Sequence, residues 1–485
     1  MIKFSKDFLQ DRILACWVGK NIGGTIGTPY EGKQELFDVK GFAVKPGEPL
    51  PNDDLDLQLV WLRVMDELGP ENVNANTLGE YWLSYIGPHW NEYGNGKANL
   101  RRGFFPPLSG ELNNEAWKHS NGAWIRTEIW ACLYPLQVEK AIRYAFTDAC
   151  VDHGYGEGSN AALFIAAMES AAFAVSDIQT LLQIGLSKIP ETCRVARSVR
   201  IAMDAYRQGA DWKEARSRLI DDSADLGWFQ APANIGFVVT GLLYGEGDFK
   251  QSLLTAVNCG DDTDCTGATV GALLGIKDGM AGIPEDWKSY LGDTIETCCT
   301  LYGHGRFPQT CTELTRSVMN LLPVTLRTRN IDQYNGADPV ELGDENDFSA
   351  LSPEDMMGRT FSDQLAARKP YSFMAENCCT SAWVELDSEP VITPEGTLSG
   401  SITLRSPLIP EPKYYELRWL LPEGWRAEGR RNLYVNHNHA WQTQLTDGSF
   451  TIHAGETVLP QQRIVLEITT VGRPTPLYVP ITILR

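Results

Sequence analysis

Two short stretches concentrate carboxylates where an apolar, helix-patterned run begins. Asn52, Asp53, Asp54 and Asp56 lead into LQLVWLRVMDEL, and Asp261, Asp262 and Asp264, followed by Cys265, lead into GATVGALLGIKDG. A single Asp or Asn before a helix is explained by capping of free N–H groups and by the positive end of the dipole. Each stretch holds more acid than a cap uses, and like charges stacked so closely repel unless a cation is shared. Oxygen-rich clusters of this kind select Mg2+, Mn2+ or Ca2+. The chemistry they suggest is the binding of a hard divalent cation.

The elements that must bring these stretches together are helices. Up to about residue 325, segments such as DRILACWVGKNIGG, LDLQLVWLRVMDELG and NAALFIAAMESAAFAV repeat apolar residues every three or four positions, with Gly and Pro clusters between them. Gly267, Ala268, Gly271, Ala272 and Gly275 form a stripe of small residues. In an exposed helix each of these glycines would cost about 1 kcal/mol relative to Ala. The stripe therefore predicts a central helix packed tightly on its neighbours, its acidic N-terminus aimed at a common point. From about residue 370 the pattern turns to short alternating runs bounded by turn residues, as in YYELRWLLPEGW and RIVLEITTVG, which predict an antiparallel sandwich. The predicted organisation is an all-α domain over 1–325, a polar, acidic connection over 326–370 with one capped helix from about Ser352-Pro353, and a β-sandwich over 371–485.

Charge narrows the partners. Against 62 Asp+Glu the chain has 42 Lys+Arg, a net charge of −20 over 485 residues. This argues against bulk binding to nucleic acid or to an anionic membrane. It leaves room for a small phosphate-bearing substrate that a cation neutralises locally. The 11 cysteines are odd in number, include the adjacent pairs Cys298-Cys299 and Cys378-Cys379, and contain no CxxC, so buried free thiols and a reducing compartment are expected. The N-terminus has no apolar signal region, and the longest apolar stretch, near 161–175, is interrupted by Glu169. Both predict a cytoplasmic protein without a membrane span.

Four segments, in order across about residues 12–285, resemble the ADP-ribosylglycohydrolase family. Gly23-Gly24-Thr25-Ile26-Gly27-Thr28-Pro29-Tyr30-Glu31 is similar to its opening GDxxGxxxE, and Asn52-Asp53-Asp54 to its TDD metal motif. Asn121-Gly122-Ala123-Trp124-Ile125-Arg126 resembles its GNGxxMR substrate loop, and Asp262-Thr263-Asp264 with the Gly/Ala helix resembles DTDTxxxxxGA. The resemblance implies an all-α fold with a one- or two-ion centre at the bottom of a cleft, usually Mg2+, with Mn2+ or Ca2+ as substitutes. Carried over by position, Asn52, Asp53, Asp54, Asp262, Asp264 and Cys265 would be metal ligands, with Asp264 bridging. Glu31 would lie beside the metals and the scissile bond, and Glu31, Asp54 and Asp262 are the implied catalytic carboxylates. Asn121, Gly122, Ala123 and Arg126 would hold the phosphate or distal part of the substrate.

The match has departures. Asn52 stands where the family has Thr, Leu55 where it has a further Thr, Cys265 where it has Thr after DTD, and Gly24 where it has Asp. An amide oxygen coordinates a hard cation, Leu does not, and a thiol is a poor Mg2+ ligand. One of two metal sites is thereby weakened, empty or filled by a different ion.

The implied activity is hydrolysis of an ADP-ribosyl or related N- or O-ribosyl bond. Its rivals are an N-glycosidase of a small ribosylated metabolite or nucleoside, and a non-catalytic ADP-ribose-binding or scaffold protein. The glycine-rich run containing Asp152, His153 and Gly154 reads either as a ligand loop, with His153 and Gly154 at the substrate, or as a turn. Trp90 and Tyr93 read either as a stacking rim or as core. Cys298-Cys299 and Cys378-Cys379 are expected to be buried thiols, and His437 and His439 to sit in a turn between strands. The β-domain, loosely similar to fibronectin-like accessory sandwiches, is left with three uses: a homodimer contact, binding of a carbohydrate or other partner, or covering the helical domain.

Overall fold

The computed structural model describes residues 2–300, 307–326, 340–369, 371–377, 380–406, 413–435 and 444–485. Cys378, Cys379, His437 and His439 lie outside these residues. Helix α1 (Lys6–Gly27) starts at Ser5, whose hydroxyl accepts the Phe8 N–H at 3.2 Å. It lies antiparallel against the Thr263–Asp278 helix, and the facing positions recur every four residues: Ala15 on Gly275, Gly19 on Gly271, Gly23 on Gly267, Gly27 on Thr263. A Cβ built on Gly19 would lie 2.1 Å from the Gly271 carbonyl oxygen, and one on Gly271 would lie 2.1 Å from that of Gly19. Only bare backbone fits, so the small-residue stripe is a contact surface, and α1 supplies its other half. Trp17, Ile22, Ile26, Val270 and Leu274 are buried in the surrounding core.

Because the pair is antiparallel, the C-terminus of α1 meets the N-terminus of its partner, which carries the second acidic cluster. Helix α2 (Asp53–Leu68) brings the first cluster. Its N-cap is Asn52, whose Oδ1 accepts the Asp54 N–H at 2.7 Å, and Gly69, with φ of 81°, ends it.

The 326–370 segment is anchored more firmly than a connection requires. Strand β1 (Ile2–Ser5) pairs in parallel with β2 (Val340–Gly343). Ser352 caps the Pro353–Met356 helix through a capping box with Asp355, where sequence reasoning put it. Val340, Met356 and Phe361 join the helical core.

Beyond it the strands are β3 (Ser372–Glu376), β4 (Ser381–Leu386), β5 (Thr397–Ser406), β6 (Lys413–Leu420), β7 (Arg426–Gly429), β8 (Asn432–Val435), β9 (Gln444–His453), β10 (Gln461–Thr470) and β11 (Leu477–Leu484). They form two antiparallel sheets, ordered β3-β4-β5-β9-β7 and β11-β10-β6-β8. Alternation fixes the buried face: Ile464, Leu466 and Ile468 of β10 point inward and share one core with Val384, Ile402 and Ile452 of the other sheet. Phe104 and Leu108, from the helical domain, enter this β core, and the Thr482 hydroxyl donates to the Gly103 carbonyl at 2.7 Å. The two parts are thus fastened through the 103–108 segment.

All nine described cysteines are free, and Cys298 alone among them is exposed. Among the described residues no helix is long and apolar enough to cross a membrane.

Candidate metal centre

The close helix pair delivers Glu31 to the second acidic cluster. After Gly27 the chain makes a short 3-10 turn, Thr28–Tyr30, and then pairs with the turn before Asp262. The Gly32 N–H donates to the Asp261 carbonyl at 2.9 Å, and the Asp261 N–H donates to that of Lys33 at 2.8 Å. Asp261 itself has a left-handed backbone, with φ of 67°, and its carboxylate accepts from the Phe229 N–H and the Gln34 amide. It serves the turn, and Asp262 and Asp264 are left to face Glu31.

Two groups of donor atoms result, each with its atoms within 4.8 Å of one another: Glu31, Asp262 and Asp264; and Asp54, Asp264 and Cys265. Asp264 belongs to both. Asp262 Oδ2 accepts from the Asn121 amide at 2.6 Å. Asp262 Oδ1, Asp264 Oδ1 and both carboxylate oxygens of Asp54 are buried with no hydrogen-bond partner. Lys20 stands behind Asp54, its Nζ 3.7 Å from Asp54 Oδ1 and 2.7 Å from Glu128 Oε1. Asp53 Oδ2 accepts from the Tyr93 hydroxyl at 2.7 Å.

Burial and charge repulsion act together here, with repulsion leading only at Glu31. Glu31 is pushed up to about 8, first by Asp264, then by desolvation and Asp53. Burial, then Asp264, raises Asp53 and Asp262; burial raises Asp54 too, against the pull of Lys20. The Cys265 thiol is raised by burial and by Asp262, Asp54, Asp264 and Asp53. Carboxylate oxygens buried without donors, held together by rigid helix ends, fit a hard divalent cation.

The departures from the family pattern take on physical meaning. The Asn52 amide lies against Gly24 so closely that any side chain there would collide with it, so the two changes are one local feature. Asn52 spends its oxygen capping α2, and Leu55 is core, 1% exposed.

The expected substrate residues divide. Asn121 touches Asp262, and Gly122 lies so close to Glu92 that a Cβ would be 2.4 Å from its Oε1. Ala123, Arg126, His153 and Gly154 are buried behind them. Arg126 is fully sealed, donating to Asp148 Oδ1 at 2.8 Å and Asp152 Oδ1 at 2.7 Å, with its guanidinium 4.8 Å over the Trp82 ring. His153 bridges Asp152, at 2.8 Å, and the Ser120 hydroxyl, at 2.9 Å. The glycines of that run give passage to neighbouring backbone: a Cβ on Gly158 would strike His153, and one on Gly156 would strike the Lys118 carbonyl. Arg126 and His153 therefore hold the 120–126 loop in place from behind, because every polar atom they offer is spent on protein. The helix beginning at Glu157 is likewise closed to an anion, its first carboxylate accepting the Arg194 and Val195 N–H groups.

Sequence reasoning missed the support layer. Lys20, Glu128 and Gln58 are fully buried, with Gln58 donating to both Glu128 Oε2 and the Asp54 carbonyl. The available signal was a lysine inside the small, apolar half of α1. Tyr93, read as rim or core, is core by exposure at 1% and reaches the centre through its hydroxyl; Trp90 beside it is 52% exposed.

Residues 5–316 match the family model described as ADP-ribosylglycohydrolase, which contains all the segments that build this centre. The chain belongs to the ADP-ribosylglycohydrolase family. This membership supports a glycohydrolase-type function. An uncharacterised protein of Archaeoglobus fulgidus is 25% identical over 303 residues, covering 59% of this chain and 93% of that one. A solved structure titled as an ADP-ribosylglycohydrolase-related protein complex is similar at 21% identity and a TM-score of 0.42, over 66% of this chain and 99% of that chain. The family match ends before the β-domain.

Proposed function

We propose that the chain is a metal-dependent hydrolase of a ribosidic bond, ADP-ribosyl or a related N- or O-ribosyl linkage. The observation that carries this reading is Asp264 shared between two donor groups whose buried carboxylate oxygens lack partners. Asp53, Asp54, Asp262 and Asp264 would hold Mg2+, or Mn2+ or Ca2+ in its place. Bound there, such an ion supplies Lewis acidity and a water of lowered pKa.

The chain's own residues do the rest. Asn121 fixes Asp262, Tyr93 fixes Asp53, and Lys20 restrains Asp54 from behind. Glu31 is the exposed carboxylate of the centre and the one that faces substrate from the solvent side; with a cation offsetting the repulsion that raises it, it would be ionised and would take a proton from the attacking water. Carboxylates around the anomeric carbon favour the positive charge that develops there. Trp228, 50% exposed and beside Gly32, offers a flat apolar face to a ring of the substrate.

Asp262→Ala and Asp264→Ala should abolish release of ribosyl product while leaving the circular dichroism spectrum and unfolding cooperativity intact. ADP-ribosylated arginine and serine peptides, assayed beside free nucleosides, distinguish a modified protein from a small metabolite as substrate. Full activity in either variant, or in chelator-stripped protein, would sink the metal reading. Failure of the wild type to bind any divalent ion in a calorimeter would favour the scaffold alternative.

A further inference from the structure

Cys265 places sulfur in an otherwise oxygen-based centre. It lies in the first turn of the Thr263–Asp278 helix, 5% exposed, with its Sγ grouped with oxygens of Asp54 and Asp264 inside 4.8 Å. The carboxylates around it keep hydrogen-bonding capacity unfilled: Asp264 Oδ1 and both Asp54 oxygens are buried without a hydrogen-bond partner, although Lys20 Nζ lies 3.7 Å from Asp54 Oδ1. The second group, Glu31, Asp262 and Asp264, contains oxygen donors alone. The two halves of the centre therefore differ in softness, and softness is what separates Mg2+ and Ca2+ from zinc-like ions.

We infer that Cys265 is a metal ligand, and that the Asp54–Asp264–Cys265 half takes a thiophilic divalent ion of the zinc class while the Glu31–Asp262–Asp264 half takes a hard one. This rests on the metal reading above and adds a preference to it. On coordination the S–H bond is broken and an S–metal bond forms; the proton is released to solvent, and no electron is transferred. The wider consequence is a mixed pair of ions, in which exchanging one for the other's type weakens binding at that half alone.

The test uses the full chain stripped with chelator, titrated with Co2+ and with Cd2+ against Mg2+, by calorimetry and absorption. Bound Co2+ should show a thiolate-to-cobalt charge-transfer band in the near ultraviolet. Cys265→Thr should lose the band and lower the Cd2+ to Mg2+ affinity ratio roughly ten- to a hundredfold, the scale of losing a metal-site partner. Cys265→Ser serves if the threonine variant does not fold. Asp56, Cys298 and Cys299 form another sulfur-bearing group, so a Cys298→Ser/Cys299→Ser variant must keep the band. Co2+ bound without the band, or a band that survives in Cys265→Thr, overturns the sulfur ligation and leaves the metal reading standing. No binding of any divalent ion overturns both.

Discussion

Replacing Gly271 with Ala tests whether the helix pair positions the centre. On an exposed helix this change stabilises by about 1 kcal/mol, because Ala is the better helix former. Here the new Cβ would lie 2.1 Å from the Gly19 carbonyl oxygen, whereas ordinary contact begins at 3.4 Å. The obstacle is backbone in the middle of a buried helix and cannot swing aside, so the helices must part by roughly 1 Å. Overpacking of this kind costs about 1–3 kcal/mol, and an unyielding backbone belongs at the top of that range. Subtracting the propensity gain leaves a net loss of about 2 kcal/mol. Parting the pair also moves Asp262 and Asp264 relative to Asp54 and Glu31, and misplacement by about 1 Å costs on the order of a hundredfold in rate. Denaturant unfolding gives the first number, and metal affinity with turnover gives the second. Gly267→Ala, whose Cβ would sit 2.8 Å from the Gly23 oxygen, should be milder, and Gly343→Ala, which meets nothing within 4 Å, should be neutral. A Gly271→Ala protein at least as stable as wild type would refute the packing argument. One that is destabilised but binds metal normally would refute the coupling to the centre.

Lys20→Met should destabilise the chelator-stripped protein by about 3–5 kcal/mol, since it strands Glu128 and Asp54 as buried acids without their cation; denaturant midpoints with and without Mg2+ measure it. Glu92→Gln should flatten the pH dependence of stability. Burial pushes Glu92 up from 4.5 to about 7, with His153 opposing, so between those values the folded chain binds more protons than the unfolded one and stability falls as pH rises. At about 1.36 kcal/mol per unit the window is worth roughly 3 kcal/mol at most, read as the extra loss of wild type over Glu92→Gln between pH 5 and pH 8 in metal-free urea melts. Equal slopes would refute it.

The large features were legible because they rest on periodicity and on residue types with few other uses. Helical spacing, the change to alternation near residue 370 and the Gly/Ala stripe each correspond to an element in the structure. What escaped was three-dimensional complementarity. The stripe at Gly267, Gly271 and Gly275 was visible, but its partner at Gly19, Gly23 and Gly27 becomes recognisable only when the two helices are known to run antiparallel. Gly24 and Asn52 look like independent departures along the chain, and only their contact makes them one. Arg126 and His153 resemble ligand residues in sequence because buried ion networks and binding sites use the same side chains. Burial, which periodicity cannot assign inside a loop, is what separates the two cases.

The acidic clusters carry the clearest division of labour. Of the six acids in the two stretches, Asp56 gives one carboxylate oxygen to the Cys298 and Cys299 N–H groups, and Asp261 serves Phe229 and Gln34. Those two tie down loops that wall the centre. The other four are Asp53, held by Tyr93; Asp262, held by Asn121; and Asp54 and Asp264, which no hydrogen-bond donor holds firmly. Their arrangement grades from fixed to free toward Asp264, the residue common to both donor groups. A chain that only needed to fold would neutralise such a residue or pair it, since a buried, unpaired carboxylate opposes folding. On the metal reading proposed above, leaving its Oδ1 without a donor between two rigid helix ends would make stability itself depend on a cation. Binding an ion at a hundred times its Kd would add about 2.7 kcal/mol.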